Sequence, residues 1–338
     1  MSNKPHVLLC PSDSNGGYPV PASKGGAVTT LVEHLVAENN KKQIVEMTVI
    51  SFYDVKAEEL SKQYPNVKFL WVRVPKPIKW LDNLLFWSVS HLTKKKANSF
   101  ISLISLLYYI IKSSFIVKKG HYDSIVLEHN IPQAWIIKLS GYKGRYFHHL
   151  HNFPRVNAMC SDVFERCEKF LCISQFMAND ILSETNPIGP VRSDQVALLY
   201  NCIDTNKFRP IDKSELIYSR KQFELSDEDK VIVFAGRITW EKGIDKVIEA
   251  LDHIKNPKVK VIIVGAYMMS NEVEDDYSRN LHQLASKHKG KVVFTGYIKQ
   301  ADIPQIYNLA DVAVLPSMWE EPAGLTMLEA MACGIPCL

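Results

Sequence analysis

The stretch Val231-Ile232-Val233-Phe234-Ala235-Gly236-Arg237-Ile238-Thr239-Trp240-Glu241-Lys242-Gly243 decides the fold of this chain. Its first five residues are apolar and mostly β-branched, which predicts a strand that is buried on both faces. A short polar loop follows, and Ile244–Leu251 then has the apolar spacing of a helix. A buried strand that leads through a loop into a helix is the repeating unit of a parallel α/β sheet.

Apolar runs of the same kind recur along the chain and alternate with helical segments. Eleven are predicted as strands: Val7–Cys10, Glu46–Phe52, Lys68–Val72, Ser124–Glu128, Arg145–Leu150, Phe170–Ile173, Val196–Leu199, Val231–Ala235, Val259–Val264, Val292–Thr295 and Val312–Leu315. The turn-rich segment Asn186–Pro190 divides them into two series. We therefore predict two Rossmann-like, doubly wound α/β domains, residues 1–188 and 189–338. Since ligands of such sheets bind beyond the carboxyl ends of the strands, we expect two facing domains with an interdomain cleft.

Two cations follow the strand Val231–Ala235. Arg237 is presented by the loop, and Lys242 lies at the opening of the next helix. Fixed cations beside a helix N-terminus can hold a diphosphate and stabilise the negative charge that grows on it as it leaves a sugar. Alternatively, both are solvent-exposed basic residues at a turn.

Two glutamates, Glu321 and Glu329, are separated by seven residues in the segment that follows the last predicted strand. Glu321 precedes a predicted helix, where it can reach sugar hydroxyls, and Glu329 lies inside that helix, where it can accept both hydroxyls of a ribose. Backbone N–H groups at the helix start, from Ala323 to Leu325 with Gly324 between them, are expected to face a diphosphate-sugar.

These segments resemble the retaining glycosyltransferases of family 4, also called group 1, whose donor site carries Gly-Arg…Glu-Lys-Gly and Glu-x7-Glu. Further segments of the chain resemble the family's motifs in the same order along the sequence. They are Tyr200-Asn201-Cys202-Ile203-Asp204 with Phe208-Arg209-Pro210, and Phe294-Thr295-Gly296-Tyr297-Ile298, where the backbone of Tyr297 and Ile298 corresponds to the turn that holds the base. The resemblance runs from about residue 5 to the last residue and is closest to bacterial lipopolysaccharide-core and capsule transferases.

In the first half, the resemblance covers Lys24-Gly25-Gly26-Ala27 and His148-His149-Leu150-His151-Asn152. Gly25 and Gly26 let a loop approach a ligand closely, although a simple tight turn is the alternative. His151 is expected to contact the sugar, whereas His148 and His149 are expected to be packed. Another strand ends at Glu128, His129 and Asn130. These residues either line the acceptor side or are rim residues.

The resemblance implies a GT-B fold, with the acceptor on residues 1–188 and the donor on residues 189–338. It also implies that a hexose, N-acetylglucosamine or glucose, is transferred from a UDP-sugar to a glycan or lipid-linked acceptor in surface polysaccharide synthesis. Anomeric retention by front-side attack is expected, with His151, Arg237, Lys242 and Glu321 as the catalytic residues.

Three alternatives remain open. A sugar-nucleotide epimerase shares the two-domain shape, but its acid and base residues are not recognisable here. A phosphorylase needs a pyridoxal-phosphate lysine and a much longer chain. An inactive sugar-nucleotide-binding subunit is a rival of a different class, because the sequence stops at Cys337-Leu338, where the family continues through another strand and a helix. On that comparison we expect a shortened C-terminus.

Charge is distributed unevenly along the chain. Residues 1–190 carry 22 Lys and Arg against 15 Asp and Glu, whereas residues 191–338 carry 18 against 21. Lys76–Lys119 contains eight lysines, including Lys94, Lys95 and Lys96, and only one acid, Asp82. No nucleic-acid recognition motif accompanies them, so an anionic membrane surface or an ordinary solvated face remains. We expect a cytoplasmic protein, peripheral on the inner face of the plasma membrane.

Metal and cofactor chemistry is not expected from the sequence. The seven cysteines form no CxxC pair. Asp227-Glu228-Asp229 has the Asp-x-Asp form of a metal motif but precedes its strand, away from the ligand-binding edge. Because Arg237 and Lys242 already neutralise a diphosphate, we predict no metal and no cofactor beside the UDP-sugar substrate.

Overall fold

The computed structural model describes residues 4–12, 17–93, 102–265 and 276–338. Contacts divide the chain into two compact units, Met1–Tyr200 and Asn201–Leu338, each built around one sheet. Every strand pairing found in the described parts is parallel. The predicted α/β class with two doubly wound sheets is therefore confirmed.

The sheet of the first unit has seven strands in the order β3-β2-β1-β4-β5-β6-β7. They are β1 (His6–Pro11), β2 (Glu46–Phe52), β3 (Val67–Val72), β4 (Ser124–Glu128), β5 (Arg145–Leu150), β6 (Lys169–Cys172) and β7 (Val196–Leu198). The helices are α1 (Ala27–Lys42), α2 (Val55–Ser61), α3 (Lys76–Thr93), α4 (Leu103–Lys119), α5 (Ala134–Ser140), α6 (Ser161–Glu165) and α7 (Gln175–Ile181).

The sheet of the second unit has four strands in the order β10-β9-β8-β11. They are β8 (Lys230–Ala235), β9 (Val259–Val264), β10 (Val292–Gly296) and β11 (Val312–Ala313). The helices are α8 (Ile244–Ala250), α9 (Asp276–Ser286), α10 (Ile303–Tyr307) and α11 (Leu325–Ala332).

The strand β8 shows why this sheet is covered on both faces. Val231, Val233 and Ala235 pack into one core with residues of α10 and α11. Ile232 and Phe234, which point the other way, pack into a second core with residues of α8 and α9. Because side chains alternate along a strand, a continuous apolar run is required to fill both cores, as the sequence predicted.

The structure places the unit boundary later than the sequence did. We predicted the division after Ile188 and assigned Val196–Leu199 to the second series of strands. Instead β7 pairs with β6 in the first sheet, and the division falls after Tyr200. The turn at Asn186–Pro190 lies within the first unit because its residues still lead to an edge strand of that unit.

Asp82 joins the helices α3 and α4. Its side chain is buried, and its carboxylate accepts hydrogen bonds from the backbone N–H groups of Ile104 at 2.7 Å and Ser105 at 3.1 Å, and from the hydroxyl of Ser105. Ser102, which precedes α4, makes no side-chain capping bond itself. A carboxylate from the neighbouring helix therefore satisfies the first N–H groups of α4 and complements its positive end.

We expect Asp82→Ala to lower the free energy of unfolding by roughly 1–2 kcal/mol, the usual cost of losing a helix cap. Asp82→Asn should cost less, because the amide oxygen still accepts a hydrogen bond. Urea denaturation of the variants is the measurement. Asn83→Ala, an exposed neighbour on α3, is the control, and an equal loss there would contradict the capping role.

Candidate functional site

The second sheet changes direction between β8 and β11. From β8 the chain proceeds through α8 to β9 on one side, whereas β11 pairs with β8 on the other side. Loops that leave two such neighbouring strands in opposite directions open a crevice at the carboxyl ends, which is where open α/β sheets bind ligands. Arg237 and Lys242 follow β8, and Glu321 follows β11, so the predicted donor residues converge on this crevice.

Gly243 brings the two loops into contact. Its φ is +64°, and a Cβ there would lie 2.1 Å from the carbonyl oxygen of Pro316, which only glycine avoids. The backbone N–H of Met318 also donates to the carbonyl of Glu241 at 2.8 Å. The loop after β11 is thereby fixed against the turn that carries Lys242.

Lys242 and Glu321 form an ion pair within this crevice. Their side chains are only 20% and 19% exposed, and Ser317 donates its hydroxyl to the same oxygen of Glu321, Oε1, at 2.6 Å. Burial raises the pKa of Glu321, but the hydrogen bonds from Lys242 and Ser317 outweigh it, so the pKa lies below its ordinary value. The carboxylate is therefore ionised at neutral pH. Arg237 is exposed at the end of β8.

Glu329 lies on α11, whose start at Leu325 follows Gly324. Burial raises the pKa of its carboxyl to about 7, and the nearby ammonium group of Lys207 opposes this rise only in part. Glu329 is therefore close to half protonated at neutral pH. Tyr297 and Ile298 follow β10 at the same carboxyl edge of the sheet, with Tyr297 exposed and Ile298 packed against the core.

The first sheet also changes direction, between β1 and β4. Gly25 and Gly26 lie in the loop between β1 and α1, with φ of 71° and 102°, and the hydroxyl of Thr29 donates to the carbonyl of Gly25 at 2.7 Å. Glu128 ends β4 and His151 directly follows β5. The predicted residues of the first half therefore follow neighbouring strands at the carboxyl edge of one sheet.

Glu128 is bonded to two histidines. Its Oε2 atom lies 2.9 Å from Nδ1 of His149 and 3.0 Å from Nε2 of His151, and the three side chains are 1%, 6% and 4% exposed. Burial raises the pKa of Glu128, but the two imidazoles lower it far more, so it lies well below the ordinary range. An ionised carboxylate is thus held inside the fold by two imidazoles.

Two sequence expectations need correction at this cluster. Glu128 was open to interpretation as a rim residue, but its side chain is buried. His149 was expected to be simply packed, but it shares the carboxylate with His151. The sequence signals this cluster only in part: a spacing of two residues puts His149 and His151 on one face, whereas the register that sets Glu128 opposite His149 is seen in the structure. His148, which faces the other way, packs against Phe164 and Phe170 as expected.

The Asp-x-Asp segment lies where the sequence placed it. Asp227-Glu228-Asp229 precedes β8, at the sheet edge opposite to Arg237. Asp229 accepts the backbone N–H of Ser226 at 2.7 Å, and Glu228 pairs with Lys258. These carboxylates therefore serve a surface turn.

A separate feature is a pair of apolar stripes on α3 and α4. Trp80, Leu84 and Trp87 are 63%, 44% and 58% exposed and share one face of α3. On α4, Leu107, Ile111 and Phe115 recur every fourth residue and are 49%, 46% and 56% exposed. Exposed lysines accompany them: Lys76, Lys79, Lys112, Lys118 and Lys119. Lys94, Lys95 and Lys96 lie outside the described residues.

No helix in the described parts combines the length and the apolar character needed to span a bilayer. This holds for α4, which contains most of the apolar region between α3 and β4.

Comparison with known proteins identifies the class of the second unit. Residues 218–338 match the family Glycosyl transferases group 1, so this unit carries a group 1 glycosyltransferase domain. The crystal structure of Anabaena HepE in complex with UDP and glucose superimposes with a TM-score of 0.67 over 98% of this chain and 80% of that chain, at 19% identity. The fold is that of the GT-B glycosyltransferases.

Two curated relatives resemble part of the chain. An uncharacterized glycosyltransferase of Methanocaldococcus jannaschii is 33% identical over 51% of this chain and 42% of its own length. The alpha-galactosylglucosyldiacylglycerol synthase of Streptococcus pneumoniae is 25% identical over 52% of this chain and 44% of its own length. The chain thus aligns with less than half of the length of these relatives.

The raised pKa of Glu329 predicts a pH-dependent stability. Because the folded chain holds this proton up to about pH 7, against an ordinary value of 4.5, the stabilising contribution is complete below pH 4.5 and is lost as the pH rises through 7. Between pH 5 and pH 8, Glu329→Gln should therefore gain up to about 3 kcal/mol over the wild type. Urea denaturation at both values measures this, with the exposed Glu249→Gln as control. A pH-independent difference would contradict the shift.

Proposed function

We propose that this chain is a retaining hexosyltransferase. It transfers N-acetylglucosamine or glucose from a UDP-sugar to a glycan or lipid-linked acceptor during synthesis of a bacterial surface polysaccharide. The observation that carries the proposal is the ion pair of Lys242 with Glu321 in the crevice of the second sheet, beside the exposed Arg237. The group 1 domain at residues 218–338 supports it, as does the fold shared with HepE, whose structure contains UDP and glucose.

The chemistry follows from the charges in the crevice. Arg237 and Lys242 hold the diphosphate and stabilise the negative charge that develops as the bond to the sugar breaks. Glu321, ionised and fixed by Ser317, accepts hydrogen bonds from sugar hydroxyls while it orients the ammonium group of Lys242. Glu329, in its ionised form, accepts the two ribose hydroxyls. Backbone N–H groups at the start of α11, from Ala323 to Leu325, face the diphosphate.

Retention of configuration is proposed to occur by front-side attack. The acceptor hydroxyl attacks the anomeric carbon on the face that the diphosphate leaves, and the leaving diphosphate takes the acceptor's proton. His151 contacts the sugar, and Gly25 and Gly26 allow the loop after β1 to approach a ligand. No metal enters this proposal, because the two cations supply the positive charge.

Two other functions fit a nucleotide-sugar site: an inactive binding subunit and a sugar-nucleotide epimerase. Incubation with a panel of UDP-sugars, with and without glycan and lipid-linked acceptors, separates the three. Transfer requires a new glycosidic product by mass spectrometry, epimerisation changes the sugar without an acceptor, and the binding subunit gives a calorimetric signal without a product. Only the first outcome supports the proposal.

The first mutational test concerns Arg237 and Lys242, the two cations that are proposed to hold the diphosphate and that we call the clamp. Arg237→Ala and Lys242→Gln should each lower kcat by about 10²–10³-fold, the scale for losing one group that stabilises developing charge. Lys246→Ala is the matched control, because Lys246 is an exposed lysine of α8 that pairs with Asp245 and Glu249 of the same helix. Steady-state rates with the active UDP-sugar measure the effect. Wild-type turnover in both clamp variants would contradict the assignment.

We further propose that the α3 and α4 stripes dock on an anionic membrane at the cytoplasmic face. Apolar side chains at helical spacing with lysines beside them match the apolar and anionic layers of a lipid surface. The diacylglycerol-based product named for the Streptococcus pneumoniae relative is in keeping with a lipid-linked acceptor.

Binding to vesicles should require anionic lipid and weaken as salt rises, because the Debye length falls from about 10 Å at 0.1 M to about 3 Å at 1 M. Reversal of Lys76, Lys79 and Lys112 to Glu should abolish vesicle flotation and leave calorimetric UDP binding unchanged. Reversal of Lys41, Lys62 and Lys143, which are exposed elsewhere on the first unit, produces the same net charge and is the control. Equal binding to neutral vesicles would contradict the proposal.

A further inference from the structure

Glu128, His149 and His151 form what we call the Glu128 cluster. It keeps an ionised carboxylate in a buried position, where a charge is unfavourable. A carboxylate that is 1% exposed is costly inside a protein unless it is fully hydrogen-bonded. Here the partners come from the adjacent strand, where Glu128 lies opposite His149 in register, and from the residue that follows that strand, His151. A solvated salt bridge or an apolar packing would satisfy the fold at lower cost, so the cluster points to a role beyond stability.

The geometry fixes the proton on each imidazole. An ionised carboxylate only accepts hydrogen bonds, so Nδ1 of His149 and Nε2 of His151 must both carry hydrogen. In His149 the other nitrogen, Nε2, is buried and has no hydrogen-bond partner among the described residues, as suits the atom without a proton. For His151, the hydrogen on Nε2 defines the tautomer in which Nδ1 is the basic nitrogen.

Two other histidines, His129 and His148, lie near the cluster in the sequence, and neither carries a charge that could pair with Glu128 at pH 7. Burial lowers the pKa of His129 to about 3 and that of His148 to about 4, so both are neutral at pH 7. The ring of His129 lies beside the cluster, with its centroid 6.1 Å from that of His151, whereas His148 faces the other side of the sheet. Within the described residues, the close partners of the carboxylate are therefore His149 and His151.

A metal centre is the rival explanation, because two imidazoles and a carboxylate are a frequent donor set for zinc. Zinc lies about 2.0–2.2 Å from each nitrogen and oxygen donor, which in a tetrahedral site holds the donors about 3.3 Å apart. In the structure both nitrogens lie at 2.9 and 3.0 Å from one and the same oxygen, which is the length of a hydrogen bond.

We propose that Glu128 is a positioning residue, which holds the imidazole of His151 in the tautomer with Nε2 protonated and fixes the direction of its Nδ1 atom. His149 occupies the second acceptor site of the same oxygen and restricts how Glu128 can turn. The effect on turnover rests on the proposed function, in which His151 contacts the sugar, whereas the tautomer is a property of the free protein.

The tautomer is tested by ¹⁵N NMR of protein labelled at histidine, with His151→Asn to assign the signals. We expect the shifts of His151 in the wild type to show protonated Nε2, and Glu128→Gln to alter them. Glu168→Gln, an exposed carboxylate at the neighbouring strand, should leave them unchanged. Protonated Nδ1 in the wild type, or identical shifts in Glu128→Gln, would overturn the proposal.

Two further measurements use the same variants. Glu128→Gln should lower kcat by about 10²-fold or more with little change in KM, as happens when a carboxylate that fixes a catalytic tautomer is lost, and an unchanged kcat would overturn the positioning role. Titration of the wild type with Co²⁺ should give no stoichiometric absorption band. A band that forms in the wild type and is lost in Glu128→Gln would replace the proposal with a metal centre. If the wild type transfers no sugar at all, the proposed function fails, and the NMR result still decides the tautomer.

Discussion

The contact between the loop after β8 and the loop after β11 is the constraint on which the rest of the second unit depends. Gly243 lies directly under the carbonyl of Pro316, and no side chain fits between them. That contact brings an ammonium group from one strand connection and a carboxylate from the other to a hydrogen-bonded pair with low exposure. A cationic and an anionic side chain are thereby held together in the crevice by the backbone contact of the two loops.

The first unit also contains a charged side chain with low exposure, but its partners are of a different kind. Its buried carboxylate, Glu128, has no lysine or arginine partner in the described part of the chain and is compensated by two imidazoles, one in the adjacent strand and one directly after it. The pair of Lys242 with Glu321 lies where the strand order of the second sheet reverses, between β8 and β11, whereas the Glu128 cluster lies between β4 and β5, one strand beyond the reversal of the first sheet.

Much of this could be predicted from sequence because the signals are local. Continuous apolar runs such as Val231–Ala235 and Val259–Val264 predicted the strands, since a run buried on both faces has few other structures. Arg237, Lys242 and Glu321 were predicted from their places after strands. The pairing of Lys242 with Glu321 was not, because it depends on a glycine contact between segments that are distant in sequence.

Other features were beyond the sequence for related reasons. The edge strand β7 is too short to show which sheet it joins, and its pairing with β6 moved the boundary past Tyr200. The role of Glu128 depends on register between two strands, which a one-residue shift would abolish. The raised pKa of Glu329 reflects burial that its position on a helix alone did not reveal.

The cap formed by Asp82 has a consequence for how partners approach the first unit. Asp82 is the only acid between Lys76 and Lys119, and its charge is directed inward to the N-terminus of α4. Within the sequence of these two helices, no other acidic side chain offsets the exposed lysines. Long-range attraction of this kind acts before contact and raises the rate of encounter more than the lifetime of the complex. In the membrane docking proposed above, the lysines of α3 and α4 would therefore act mainly on the rate of capture, and the apolar stripes mainly on the rate of release.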